Sequence, residues 1–318
     1  MTRFLIKTLT QRFGIVQRSL IGLLICICWV IFPHLASSGG PADTTVPMEK
    51  LTHGIPARDD RDLSGSQFVQ YISKMDRQER EQAIREEILK GNLPEFLRKL
   101  VPVELHHELP DGQSLTATIF VAPDYLAIGS DVDFLRIPMN LRSAAEIAER
   151  FGFVLPTRKM VDAIYLQSRH LAPQPLPAGP QMTSTAYYWT HNQMIQEQVR
   201  ALGLRLGELV SGDKKDVVTT NRLIANVGRI AIYGWHRGPG QPIQPLSTVH
   251  GANYADYSHG IRLVSATVLI GGKLRSIQDV LHDSSLAGIL SDEGPIRVNW
   301  ELLSMDLGAP TIMKARSN

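Results

Sequence analysis

Between Tyr233 and Arg262 the chain crowds together side chains that take or give protons: His236, His250, Asp256 and His259, with Tyr233, Trp235, Tyr254 and Tyr257 among them. Three of the ten histidines fall in the 24 residues from His236 to His259. Imidazole titrates near neutral pH and a neighbouring carboxylate orients it, so the set suits proton transfer, nucleophile activation or metal ligation. Three chemistries fit. In the first, His250, Asp256 and His259 hold a catalytic zinc, with His236 completing or supporting the set. The open fourth position then carries a hydroxide-like water near neutral pH.

In the second, His259 is a general base oriented by Asp256, with His236 beside it, acting on Ser258, Ser247 or a water. A variant of this chemistry pairs two carboxylates from Asp256, Asp216 and Glu208 across a glycosidic bond. In the third, the rings pack at strand ends and the imidazoles satisfy backbone groups. Tyr233, Trp235, Tyr254 and Tyr257 also offer faces for stacking on sugar rings, and Lys215 offers a cation to an anionic substrate group. Its neighbourhood, Asp213-Lys214-Lys215-Asp216, reads more simply as a charged turn between strands.

The spacing Ser247-x-x-His250-x5-Asp256 resembles in part the His…Asp pair of zinc D,D-carboxypeptidases of cell-wall metabolism. The spacing departs from theirs and no Glu-x-x-His follows, so the resemblance does not extend to membership. No Walker loop, G-x-G-x-x-G, H-E-x-x-H or G-x-S-x-G occurs, which removes support for nucleotide binding, standard zinc proteases and elbow-type serine hydrolases. Arg158-Lys159 at a helix start reads as an ordinary exposed first turn before an anion site. His106-His107 alternate across a strand and so point to opposite faces. Tyr187-Tyr188-Trp189 is a core cluster or the wall of a cleft.

Strands must carry the crowded loop. The segment RIAIYGW runs into it and GIRLVSATVLIG runs out, both rich in β-branched residues. GELVSG and KDVVT precede them as shorter strands. Earlier, VPVELHHEL and SLTATIFVA flank Pro110-Asp111-Gly112, the pattern of a hairpin. YLAIG and DFLRI follow as short strands. Helices are expected over 66–73, after the capping box Asp76-x-x-Glu79, from Pro94 to near Leu100, after Ser143-x-x-Glu146 up to Gly152, from Pro156 onward, over 192–203, and after Ser276-x-x-Asp279. The order has no regular βαβ period and no repeat. The expected fold class is α+β, with a mixed, mainly antiparallel sheet and flanking helices. Four prolines within 172–180 make a stiff connection, and divide a helical and hairpin subdomain (64–171) from an α+β subdomain (181–318) that carries the site.

The chain is 43% hydrophobic and 20% charged, ordinary for a globular protein. Residues 1–38 differ from the rest. They hold Arg3, Lys7, Arg12 and Arg18, no acid, an apolar run over 19–36, and Ala36-Ser37-Ser38 before Gly39. That is the order of a secretory signal, long enough to serve as a membrane anchor, and residues 39–63 read as a tether. Removing those four from the 33 Lys and Arg leaves 29 basic against 31 acidic residues, a balance with no pull toward nucleic acid. Both cysteines, Cys26 and Cys28, lie in the apolar run, so residues 39–318 contain no thiol, disulfide or cysteine-bound metal. The expectation is an exported hydrolase of a cell-envelope or extracellular polymer, glycan or peptidoglycan, with zinc as its candidate metal. The alternative is a non-catalytic envelope protein that binds glycan or a protein partner.

Overall fold

The computed structural model describes residues 54–109 and 111–298. Residues 1–38, expected to be a targeting segment, the part of the expected tether up to residue 53, Pro110 and residues 299–318 lie outside the described residues. The first elements among the described residues are helices α1 (Gly65–Ile72) and α2 (Arg77–Leu89), and a 3-10 turn at Glu95–Arg98. Both helices start on capping boxes. Asp76 accepts from the backbone of Gln78 and Glu79 while Glu79 accepts from the Asp76 N–H, which satisfies donors the helix leaves open.

Strands β1 (Val101–Glu108) and β2 (Ser114–Val121) form the expected hairpin, in register from Val101↔Val121 to Glu108↔Ser114. Short strands β3 (Ala127–Gly129) and β4 (Phe134–Arg136) pair next. Helix α3 (Leu141–Phe151) follows, then β5 (Phe153–Val154), α4 (Arg158–Gln167) and β6 (Arg169–His170). Helix α5 (Thr185–Ala201) precedes β7 (Val210–Ser211), β8 (Lys215–Val217), α6 (Arg222–Ala225), β9 (Ile232–His236) and β10 (Pro242–Ser247). The chain then forms β11 (His259–Gly260), β12 (Val264–Ile270), β13 (Lys273–Ser276) and α7 (Ile277–His282).

Helices plus mainly antiparallel sheets make the fold α+β. The larger sheet runs β1-β2-β12-β13, with β5 also on β12, all antiparallel. Its strands come from both sides of the proline-rich segment, so the stretches before and after it share one core, and the described residues fall in one compact unit. The smaller sheet runs β10-β9-β8-β11, where β8 and β11 are parallel. Helix α4 lies against both β1 and β9 and so joins the sheets.

Several boundaries differ from those the sequence predicts. Asn140 caps α3 through its side chain, which accepts from Ser143 N–H, so Ser143 lies inside the helix. Thr157 caps α4, which starts at Arg158, so Pro156 lies just before the helix rather than in its first turn. Ser184 caps α5, which starts seven residues before the expected 192 and takes Tyr187-Tyr188-Trp189 into the helix. The segment read as a charged turn is interior structure: Asp213 and Lys214 are buried and Lys215 begins β8. Arg158 is committed to Asp292, and the Lys159 ammonium to the Gly288 carbonyl.

Candidate functional site

The smaller sheet sets the site. Lys215 on β8 sits opposite Gly234 on one side and His259 on the other; Asp216 sits opposite Tyr233 and Gly260. Gly260 is required by closeness, because a Cβ there would fall 2.5 Å from the Tyr125 ring. That approach lets the Tyr125 hydroxyl reach Asp216 at 3.0 Å. Trp235 holds φ at +57°, a strained angle for a bulky residue, and this breaks the alternation of β9.

Asp256 and His259 come together at the entry to β11. The Asp256 carboxylate accepts from Ser258 N–H at 2.8 Å, from Ser258 Oγ, and from the Tyr254 hydroxyl at 3.2 Å. His259 Nε2 is 3.8 Å from Asp256 Oδ2, beyond hydrogen-bond range, and neither of its ring nitrogens has a partner among the described residues. Burial pushes the imidazole down to about 4, against the pull of Asp256, so it is neutral at pH 7. Burial also raises the Asp256 carboxyl, but His259, the Ser258 hydroxyl and Lys215 outweigh it and hold Asp256 below its ordinary value. Tyr254 stands edge-on to His259 at 5.7 Å and stacks on His250 at 4.2 Å. Burial and the neighbouring carboxylate push the Tyr254 phenol up to about 12.

His236 belongs to a second group. Its Nε2 lies 3.1 Å from Asp162 Oδ1, and the Tyr233 hydroxyl donates to the same oxygen at 2.8 Å. Tyr165 stacks on the His236 ring at 4.6 Å. Asp216 is its neighbour: a Cβ on Gly234 would lie 3.4 Å from both Asp216 Oδ2 and the His236 ring. Burial, against the Arg262 charge, pushes the Asp216 carboxyl up to about 6. Glu208 sits apart on an exposed turn with Arg205.

Between the two groups lie Asp213 and Lys214, whose segment the sequence reads as a charged turn or an anion-binding cation, and His191. Lys214 is 1% exposed and donates to the Tyr257 carbonyl at 2.7 Å, with His191 Nδ1 at 3.4 Å. Burial pushes its ammonium down to about 8. Burial and then Asp124 raise the Asp213 carboxyl, whose two oxygens have no hydrogen-bond partner among the described residues. Lys215 lies 5.0 Å from the Trp235 ring, and the Trp235 and Tyr257 rings meet edge-on at 6.5 Å. The sequence clue was present: Asp213–Asp216 is flanked by apolar Leu209-Val210 and Val217-Val218.

Six of the eleven unpartnered buried side-chain nitrogens and oxygens among the described residues belong to His191, Asp213, Trp235 and His259. A buried polar atom left without any partner costs about 1–3 kcal/mol, so these are the positions where a bound water or ligand group would gain most. Asp256 and His259 are the ligand-capable pair. His250 is the next imidazole, stacked on Tyr254, and no set of three such side chains converges as a metal site among the described residues. On the other side of Tyr254 a cleft of about 710 Å³ runs along α2 and the start of α3, with Asn253, Tyr254 and Ala255 in its wall.

No protein-family model, curated protein or solved structure matches the chain. The fold and site therefore define it only as an α+β protein with a buried, under-satisfied acid–base cluster behind an open cleft.

Proposed function

We propose that this protein is an exported hydrolase of a cell-envelope or extracellular polymer, a glycan or peptidoglycan. One observation carries the reading: a neutral imidazole, His259, buried with both nitrogens unpartnered and a fixed carboxylate 3.8 Å away. Tyr254 touches both: its hydroxyl donates to Asp256, its ring meets His259 edge-on, and it lines the cleft. Export rests on residues 1–38, whose basic, apolar and small-residue order is that of a targeting segment.

In this reading a substrate segment enters the cleft and displaces Tyr254 from Asp256. His259 takes a proton from an attacking water, the water oxygen bonds to the scissile centre, and the same proton passes to the leaving group. Asp256 offsets the charge of the transient imidazolium. Entry of water relieves the burial that depresses His259, which brings its pKa closer to a working base. Trp235, Tyr257 and Lys215 pack against one another and Tyr233 stands with His236 on Asp162, and none of the four is in the lining of the cleft. In the zinc form of the reading, His250, Asp256 and His259 are the ligands, and stoichiometric zinc in the purified protein is its signature.

The test is digestion of purified peptidoglycan and common polysaccharides by the wild type and by His259→Ala. Release of soluble fragments by the wild type, lost in a variant that melts within a few degrees of it, supports the reading. A well-folded His259→Ala variant with full activity sinks it. The second reading is a non-catalytic envelope protein that binds glycan or a partner. It is favoured by the 1% and 0% exposure of Asp256 and His259, and binding without cleavage by the wild type would establish it.

A further inference from the structure

We propose that the cleft along α2 binds an anionic polymer segment, a sugar chain that carries carboxylate or phosphate groups. The inference rests on the hydrolase reading only in placing this cleft at the substrate side of Asp256 and His259. Arg77, Glu81 and Arg85 follow one another at four-residue intervals, so they share a face of α2. From Arg77 to Arg85 that face is about 12 Å long. The start of α3 adds Arg142 and Glu146 to the lining, and Arg80 completes it from α2.

The acids of this lining are already engaged. Glu146 accepts from Arg85 through both oxygens, at 2.6 and 3.1 Å, and pairs with Arg150 at 3.3 Å. Glu81 accepts from the Asn140 N–H at 2.9 Å, and burial pushes its carboxyl up toward the neutral form. Two of the cations lack such a partner. Arg80 is 8% exposed, yet its guanidinium donates only to the Thr183 carbonyl at 2.7 Å and the Thr185 hydroxyl at 3.4 Å, over the Tyr188 ring. No carboxylate lies within ion-pair distance of it among the described residues, whereas buried charge is ordinarily paired. Arg77 is exposed at the mouth and makes no hydrogen bond or ion pair among the described residues. A ligand with negative charges at intervals meets both, and guanidinium recognises carboxylate and phosphate through paired hydrogen bonds.

The test is calorimetric binding by the full-length protein, using the His259→Ala form so that no probe is consumed. The probes are polygalacturonate, poly(glycerol phosphate), neutral dextran and a single-stranded DNA oligonucleotide. Either acidic glycan-type probe is expected to bind about tenfold or more tightly than dextran, and to weaken at high salt. The tighter of the two identifies the charged group. Arg77→Glu is expected to weaken that binding about tenfold, the worth of one charge-assisted contact. Arg80→Lys weakens it through loss of the fork, and Arg275→Glu, exposed and outside the cleft, leaves it unchanged. Arg77 is exposed, so its variant folds; melting temperature checks this for Arg80→Lys. Equal binding of dextran, equal binding by Arg77→Glu, or DNA binding as tight as either acidic probe overturns the proposal. Cleavage is scored separately with the wild type, so failure of the hydrolase reading leaves a positive binding result standing.

Discussion

The two principal sheets bury chemically opposite side chains. In the larger one Val103, Leu105, Ala117, Ile119, Val264 and Val268 are all 2% exposed or less. Nothing on them needs a hydrogen bond, and each large aliphatic contributes about 1.5–3 kcal/mol by leaving water. In the smaller one Asp216, His236 and His259 are at most 4% exposed, with Lys214 at 1% beside them. These groups lose hydration, and His259, with nearby Asp213, Trp235 Nε1 and His191 Nε2, recovers no hydrogen-bond partner among the described residues. The first region stabilises the fold and the second draws on that stability. Local rules that hold throughout one sheet and fail in a cluster in the other mark the cluster as kept for something besides folding.

The sharpest break of this contrast exchanges its two sides. His259→Leu should abolish cleavage, a loss of about 100- to 10,000-fold for a general base. It should also leave stability unchanged or raise it by about 1 kcal/mol, since two unpartnered nitrogens are removed. A large loss of stability, measured by denaturant unfolding, would place His259 with the structural residues. Ile119→Ala should do the reverse: a destabilisation of about 2–5 kcal/mol from transfer and cavity terms, with activity per folded molecule retained.

Titration sharpens the comparison further. Asp216 holds its proton up to about 6, against an ordinary 3.8. Between those values the folded state binds more protons than the unfolded one, so this group lowers stability as pH rises through the window. His259 releases its proton near 4, against an ordinary 6.5. There the unfolded state binds more protons, and stability rises with pH. The trends oppose over the same range. Relative to wild type, Asp216→Asn should gain stability from pH 4 to 6, on the order of 2 kcal/mol, and His259→Leu should lose it. Parallel pH profiles for all three proteins would contradict the buried positions of both groups. The smallest effect lies outside both sheets. Ser64→Ala removes the α1 cap, away from the cleft, and should cost about 1 kcal/mol with little change in catalysis, read by melting temperature.

Local structure was legible where the chemistry is local. Asp76 with Glu79, and Ser276 with Asp279, cap helices as their spacing predicts, because donor and acceptor lie within one turn. The β1–β2 hairpin follows from alternation on both sides of a Gly-containing turn. Where two cap signals compete, spacing alone misleads: Asn140 wins over Ser143 since its side chain reaches the Ser143 N–H. In the site, the proximity of Asp256 and His259 was legible because they lie three positions apart, though no hydrogen bond joins them. The split between His259 and His236 was not, since Asp162 on α4 claims His236 from 74 residues away.

The sequence by itself determined the α+β class, the capped starts of α2 and α7, the hairpin, and a stretch from Tyr233 to Arg262 dense in groups able to move protons. Only the tertiary structure decided that Asp213-Lys214-Lys215-Asp216 lies inside rather than in water. Lys214 is held by the carbonyl of Tyr257, 43 residues later, and β8 pairs in parallel with β11. Burial of charge depends on partners supplied from far along the chain, and a parallel pair leaves no turn between its strands to announce it.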